Sequence, residues 1–306
     1  MQEVYTADAA LAADTAPHAA RLAVVGNPIA HSRSPQMQLA ALRAAGIPGT
    51  YVRVLADTAE GGFESSIAAL QRMGFCGLNV TVPFKRRAFA AADCSGDPLA
   101  SLCSSCNTLT WRNGCWVGWN TDGPGFARAI REWCGQELSE LRIVLMGACG
   151  GAGCALACQC ALAGCKHLTL VNRPKPALQE LEKKLSPYAP VQAVPVGADD
   201  TRRAAVQQAD LVVNATSLGL NEGDELPLPA DWLTPRQWVY DIVTHPTPLQ
   251  AEARSRGCQA ADGSAMLLWQ GAYAFEKWFG ALPDTAAMRA ALESRPGTAG
   301  DFKSHP

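Results

Sequence analysis

Charge is scarce in this chain and balanced where it occurs. Of 306 residues 18% are charged, with Lys+Arg 26 against Asp+Glu 28 and a formal net charge of -2. No block of one sign is present, which excludes a nucleic-acid or anionic-membrane surface as the main partner. No apolar run reaches the ~18 residues of a helical membrane span. The first twenty residues lack the basic start and apolar stretch of a secretory signal, so a cytoplasmic protein is expected. Metal-binding patterns are missing as well. The five histidines (His18, His31, His167, His245 and His305) are scattered, and the pair Cys103/Cys106 has no second pair or nearby histidine to complete a site, so no metal is expected.

What is present is a globular composition: 48% apolar residues, with Gly 27 and Pro 20 spread along the chain. At roughly 150 residues per domain the length fits two units, and a chain of this size buries about 75% of its unfolded surface. The twelve cysteines would stay reduced in the cytosol, so they are expected as small core residues rather than a disulfide framework.

Strand-like runs alternate with helical segments at Arg21 to Gly26, Thr50 to Leu55, Gly77 to Val82, Leu141 to Gly147, His167 to Val171, Asp210 to Asn214 and Trp238 to Val243. This rhythm predicts an α/β protein of parallel sheets flanked by helices, the second set doubly wound because its strands are almost wholly apolar. The stretch Trp111 to Leu141 holds two Trp/Gly-rich strand candidates and then a helix with Phe126, Ile130 and Trp133 on one face; the domain junction is placed here. Ser264 is expected to cap a last long helix carrying Leu267, Leu268, Phe275 and Trp278. The tail from Ser294 reads as frayed.

After the strand LRIVLMG stands Gly147-Ala148-Cys149-Gly150-Gly151-Ala152-Gly153, followed by a small-residue helix and a second strand ending at Asn172-Arg173. A strand, a glycine turn and a helix start form a dinucleotide site, because backbone N–H groups there can receive a pyrophosphate. Of the two glycine registers, 148/150/153 is preferred over 147/149/152. No Asp or Glu occurs from Gly164 to Gln179, whereas Lys166, Arg173 and Lys175 do. A cation suits a 2′-phosphate where a carboxylate would suit a 2′-hydroxyl, so NADP(H) is favoured, with NAD(H) possible.

In the first half, Ser32 and Ser34 precede Pro35, which suits a first helical position; with Ser34 as the N-cap, two hydroxyls would meet a small carboxylate at the positive end of a helix. Gly77 to Lys85 (GLNVTVPFK) reads as a strand followed by a helix start. Lys85 in that first turn, beside Arg86 and Arg87, sits in a positive field of the kind that readies a lysine for proton transfer.

Taken in order with Asn107-Thr108-Leu109, Gly118 to Gly123 (GWNTDG), Asn214 to Gly219 (NATSLG) and Met266 to Ala272 (MLLWQGA), these motifs resemble the shikimate dehydrogenase family, including its quinate/shikimate branch. The resemblance spans about Leu22 to Gly280. It implies that Ser32 and Ser34 bind the substrate carboxylate, that Thr81, Asn107 and Gln270 hold its ring hydroxyls, and that Lys85 and Asp122 form the catalytic pair. It also implies that Gly150, Gly151, Ala152, Asn172, Arg173, Lys175, Thr216, Gly263 and Met266 bind the cofactor. The reaction implied is reversible reduction of 3-dehydroshikimate to shikimate with NADP(H), a step of aromatic (chorismate) biosynthesis. The layout implied is a substrate domain over 1–121, with 1–20 as an extension, a Rossmann-type domain over 122–257, and a helical segment over 258–306 that returns to the first domain. A small-molecule partner and a monomer or homodimer are expected.

Four features depart from the family pattern. Gln38-Leu39 replace a usual His-Asn pair, Thr244 stands where a tyrosine is common in a stretch that is also shorter after Pro246, the glycine loop is irregular, and Asn172-Arg173-Pro174 lacks the usual following Thr. Quinate or another ring hydroxy acid thus stays open as substrate, as does a non-catalytic sensor of such an acid.

Overall fold

In the computed structural model the described residues are 4–6 and 19–294, so most of the expected extension and the frayed tail beyond Ser294 lie outside them. The first domain holds β1 (Val4–Tyr5), β2 (Ala20–Gly26), β3 (Gly49–Leu55), β4 (Gly77–Val80), β5 (Cys94–Ser95), β6 (Thr108–Arg112) and β7 (Cys115–Trp119), in the sheet order β1-β3-β2-β4-β6-β7-β5. Its helices are α1 (Ser34–Ala44), α2 (Gly62–Arg72), α3 (Lys85–Ala91) and α4 (Pro98–Cys103). Inside the sheet, between β3 and β4, lies β2, whose Leu22, Ala23, Val24 and Val25 are all buried, as apolar runs covered on both faces must be.

The first sheet is mixed: β1/β3, β3/β2, β2/β4 and β7/β5 are parallel as expected, and the remaining two pairs are not. β4 pairs antiparallel with β6, and β6 antiparallel with β7. The two Trp/Gly-rich strands close a hairpin through Asn113 and Gly114, both at positive φ (52° and 80°). Asn-Gly is a strong hairpin signal, because both central residues of a type I′ turn need positive φ.

α5 (Asp122–Cys134) leads out of this sheet into the second, built from β8 (Arg142–Met146), β9 (His167–Asn172), β10 (Val191–Pro195), β11 (Leu211–Asn214), β12 (Trp238–Asp241) and β13 (Gln259–Ala261). All six strands are parallel, in the order β10-β9-β8-β11-β12-β13. α6 (Gly151–Leu162), α7 (Pro176–Leu185), α8 (Asp199–Gln208) and α9 (Pro248–Ser255) cover its faces. The strand order reverses between β8 and β11, and in doubly wound sheets ligands bind beyond the strand ends at such a switch point. The sheet runs to Ala261, so β13 lies past the boundary drawn at 257.

The chain ends in α10 (Ser264–Phe279) and α11 (Thr285–Glu293). α10 packs on α5 and α1, and α11 on α1, which ties this segment back to the first domain. Gln38 Nε2 donates to the Gly271 carbonyl (2.9 Å) and Trp278 Nε1 to the Leu109 carbonyl (3.1 Å). Ser264 is the first residue of α10 rather than its cap; Asp262 Oδ1 accepts from the Ser264 N–H (2.9 Å) and takes that role. One buried cluster runs from Leu22 and Met37 through Phe126 and Ile130 of α5 to Leu145 and Leu170. The two sheets therefore share a core across α5 and α10.

Candidate active site

Between the two sheets opens a cleft of about 430 Å³. Every residue expected to meet substrate lines it: Ser32, Ser34, Thr81, Lys85, Asn107, Asp122 and Gln270. Of the residues expected to bind cofactor, Ala152, Gly263 and Met266 line it as well. Gly150, Gly151, Asn172, Arg173, Lys175 and Thr216 lie outside it, at or just beyond the C-terminal ends of β8, β9 and β11.

Lys85 is the first residue of α3 and Asp122 the first of α5. Their side chains meet with Nζ to Oδ2 at 2.7 Å, at 12% and 7% exposure. The carboxylate also gains from the positive end of α5, and the ion pair offsets the positive field that α3 imposes on the lysine. Asp122 is held on all sides. Asn107 Nδ2 donates to its Oδ1 (2.9 Å), and its own N–H donates to Asn120 Oδ1 (3.1 Å).

Asn107 organises the cleft floor. Its Nδ2 also reaches Thr121 Oγ1 (3.0 Å) and Gln270 Oε1 (3.3 Å), while its Oδ1 accepts from the Thr121 N–H (2.8 Å). Asn79 and Tyr51, which the motif reading passed over as site residues, extend the network: Tyr51 Oη donates to Asn79 Oδ1 (2.7 Å), and Asn79 Nδ2 donates to Thr108 Oγ1 (3.1 Å). Burial pushes the Tyr51 hydroxyl far above its ordinary pKa, so it stays a donor. Asn79 and Asn120 stood inside the quoted motifs; nothing in the pattern marked Tyr51.

Two expectations need correction. Ser34 does not cap α1: Arg33 already has helical backbone angles, the helix starts at Ser34, and Ser32 Oγ accepts from the Ser34 N–H (3.4 Å). The Ser34 hydroxyl is thereby released from capping. His31 is exposed and lines the cleft.

The second concerns where the glycine turn falls. The tight turn after β8 is made at Gly147 (φ +79°), where an added Cβ would stand 2.6 Å from the Ala215 carbonyl oxygen. Ala148 is fully buried and carries no positive φ. The turn thus falls at Gly147, one residue before the first position of the preferred register 148/150/153, while Gly150 and Gly153 of that register keep the helix start and the close packing. Gly153 supplies the close approach between helix and turn, for a Cβ there would lie 2.1 Å from the Gly147 carbonyl oxygen. Gly150 precedes α6 without any side-chain cap, and a Cβ on Gly151 would meet nothing within 4 Å. The first amides of α6 therefore face open space, the arrangement an anion needs.

Beside this loop Asn172 Oδ1 accepts from the Cys149 N–H (3.3 Å), and Thr216 closes the turn after β11 by donating to Asn214 Oδ1 (2.7 Å). Arg173 and Lys175 are exposed and in no ion pair among the described residues.

Comparison with known proteins agrees with this geometry. Residues 24–109 match the shikimate dehydrogenase substrate binding domain, and residues 263–293 the shikimate 5'-dehydrogenase C-terminal domain. A shikimate dehydrogenase (NADP(+)) of Moorella thermoacetica is 40% identical over 280 residues, covering 90% of this chain and 93% of the relative. The chain belongs to the shikimate dehydrogenase family. Among solved structures, shikimate 5-dehydrogenase from Thermus thermophilus in complex with NADP(H) and shikimate superposes with a TM-score of 0.78 at 34% identity, over 89% of this chain and 98% of that one. Quinate dehydrogenase from Corynebacterium glutamicum in complex with NAD gives 0.80 at 29% identity, over 90% and 98%.

Two departures from the family pattern now have a place. Thr244 is half-buried and lines the cleft. Gln38 is fully buried and ties α1 to α10 through Gly271. The cysteine pair has no redox or metal setting. Burial drives the Cys103 thiol up to about 12 and Cys106 higher still, all twelve cysteines are free, and no cluster of three metal-binding side chains occurs among the described residues. No helix there is long and apolar enough to cross a membrane.

Because Asn107 serves Asp122, Thr121 and Gln270 together, Asn107→Ala is expected to destabilise the fold by about 1–3 kcal/mol, the cost of leaving buried polar groups unpaired. It should also weaken shikimate binding while NADPH affinity holds. Thermal denaturation and separate substrate and cofactor titrations would check both, and unchanged shikimate affinity would contradict the assignment.

Proposed function

We propose that this protein is an NADP-dependent shikimate dehydrogenase that reversibly reduces 3-dehydroshikimate to shikimate, with Lys85 and Asp122 as its acid–base pair. The observation that carries the reading is the 2.7 Å pair in a cleft lined by Ser32, Ser34, Thr81, Asn107 and Gln270. Family membership supports the general reaction, and NADP(+) dependence in the Moorella relative supports the cofactor.

The residues around the glycine loop fit a dinucleotide phosphate. The uncapped start of α6 at Gly150, Gly151 and Ala152 would hold the pyrophosphate, and the exposed Arg173 and Lys175 after β9 would hold the 2′-phosphate. Asn172 and Thr216 would shape the two flanking strand ends, with Gly263 and Met266 at the cleft. A nicotinamide cofactor bound there would supply or take up the hydride at the ring carbon.

The remaining work falls to this chain. A carbonyl oxygen gaining charge needs a proton donor at hydrogen-bond distance, and the ammonium of Lys85 is that donor; in the reverse direction the neutral amine accepts the hydroxyl proton. Asp122, fixed by Asn107 and Asn120, keeps the ammonium aimed and offers its own oxygens to the substrate hydroxyl. Ser32 and Ser34 would take the carboxylate at the start of α1. Thr81, Asn107 and Gln270 would pair the ring hydroxyls, and a site built this way discriminates against isomers that leave its polar groups unpaired.

The test follows NADPH oxidation with 3-dehydroshikimate and 3-dehydroquinate, and repeats it with NADH. Faster turnover of 3-dehydroshikimate, with NADPH preferred, is expected. Preference for 3-dehydroquinate would move the chain to the quinate branch, which the Corynebacterium neighbour and Thr244 keep in view. Tight binding without turnover would instead make it a sensor.

A further inference from the structure

Two arginines of the described residues are buried, Arg53 at 6% exposure and Arg202 at 7%. Arg202 is paired with Asp199 (3.0 Å). Arg53 is not paired with any acid among the described residues: its Nε donates to the carbonyl oxygen of Ser32 (3.0 Å), and its Nη2 donates to the same oxygen. A buried cation with only a carbonyl for a partner is costly, and such a cost is offset when an anion arrives nearby.

The position of Arg53 says which anion. It lies on β3 two residues beyond Tyr51, and alternate residues of a strand share a face. Tyr51 on that face reaches Asn79, which lines the cleft. Arg53 reaches Ser32, whose hydroxyl accepts from the Ser34 N–H. The guanidinium thus packs against the backbone of the turn that carries the two serines. Serine hydroxyls are neutral and would accept a carboxylate, an ester or an amide alike as hydrogen-bond partners. The charge behind them would not treat these alike.

We infer that Arg53 is a positioning and specificity residue, which holds the Ser32 loop and makes this end of the cleft selective for a carboxylate over its uncharged isosteres. The inference rests on the function proposed above. Arg53 acts through Ser32 and touches neither the reacting carbon nor the cofactor, so its effect belongs in substrate selection. Arg33, which lines the cleft itself, is the other cation to control for.

The experiment compares kcat/KM for shikimate and for its methyl ester with NADP+ in the wild-type enzyme, Arg53→Gln, Arg53→Lys and Arg33→Gln. The wild type is expected to prefer the acid, and Arg53→Gln to lower the acid-to-ester ratio about tenfold through the KM for the acid, with kcat and the KM for NADP+ within about twofold. Arg53→Lys, which keeps the charge, should retain most of the ratio. A purely structural role would lower both substrates together and leave the ratio unmoved. If Arg53→Gln does not fold, Arg53→Met, which keeps the volume and drops the charge, gives the same reading. An unchanged ratio, an equal fall in the lysine and glutamine variants, or a fall in Arg33→Gln alone would overturn the inference. Wild-type enzyme that turns over neither compound would count against the proposed reaction instead.

Discussion

Lys85→Ala is expected to lower kcat for 3-dehydroshikimate reduction by about 10²–10⁴-fold, the range a positioned general acid contributes. The KM values for substrate and NADPH should move little, because the serines, Asn107, Gln270 and the start of α6 remain in place. The physical reason is the 2.7 Å contact with Asp122: it fixes the ammonium at the cleft wall, within reach of a carbonyl oxygen bound there. Lys85→Arg should not restore the rate, since a guanidinium holds its proton too tightly to release and retake it. Steady-state kinetics with substrate and cofactor varied in turn measures this. A Lys85→Ala enzyme with full kcat would remove the lysine from the mechanism while leaving the family membership untouched.

Gly153→Ala is the second large effect, and it acts through the backbone. The new Cβ would stand 2.1 Å from the Gly147 carbonyl oxygen, 2.8 Å from its carbon and 3.2 Å from the Ala148 Cα. All three atoms are main chain, so no side chain can rotate away and α6 itself must shift. A loss of about 1–3 kcal/mol is expected from such overpacking, together with weaker NADPH binding, because the shift moves the amides that would meet the pyrophosphate. Shikimate affinity should hold. Gly151→Ala is the control: its Cβ meets nothing within 4 Å, and alanine in a helix is favoured over glycine by about 1 kcal/mol, so its melting temperature should not fall. Thermal denaturation and NADPH titration on both variants decide the matter. A Gly153→Ala protein with wild-type stability and cofactor affinity would show that the helix and the turn are not in contact.

Much of the site was legible because its residues come in short runs, with fixed spacing and special chemistry. Lys85 follows a strand by a few residues, Asp122 opens a helix beyond Trp119, and glycines gather after an apolar strand; local rules are enough to place each on an element. Local rules misplaced the finer points. Ser34 and Ser264 both look like caps, yet helical angles at Arg33 and a better-placed carboxylate at Asp262 shift each role by a residue or two. The glycine turn falls one residue earlier than the preferred register for a similar reason, since counting glycines cannot show which one makes the turn.

The sequence by itself determined the alternation of strands and helices, the glycine turn between β8 and α6, and the family, because apolar periodicity and backbone-demanding residues act over a few positions. Only the tertiary structure decided that β6 and β7 run antiparallel in the first sheet, that β13 belongs to the second, that Asn107, bonded to Asp122, reaches Gln270 across 163 positions of chain, and that Arg53 lies behind the serines without an acidic partner among the described residues. These are contacts between segments remote in sequence. Their energy comes from hydrogen bonds and buried charge that exist only once both sheets have closed on α5 and α10, and no local pattern carries a record of them.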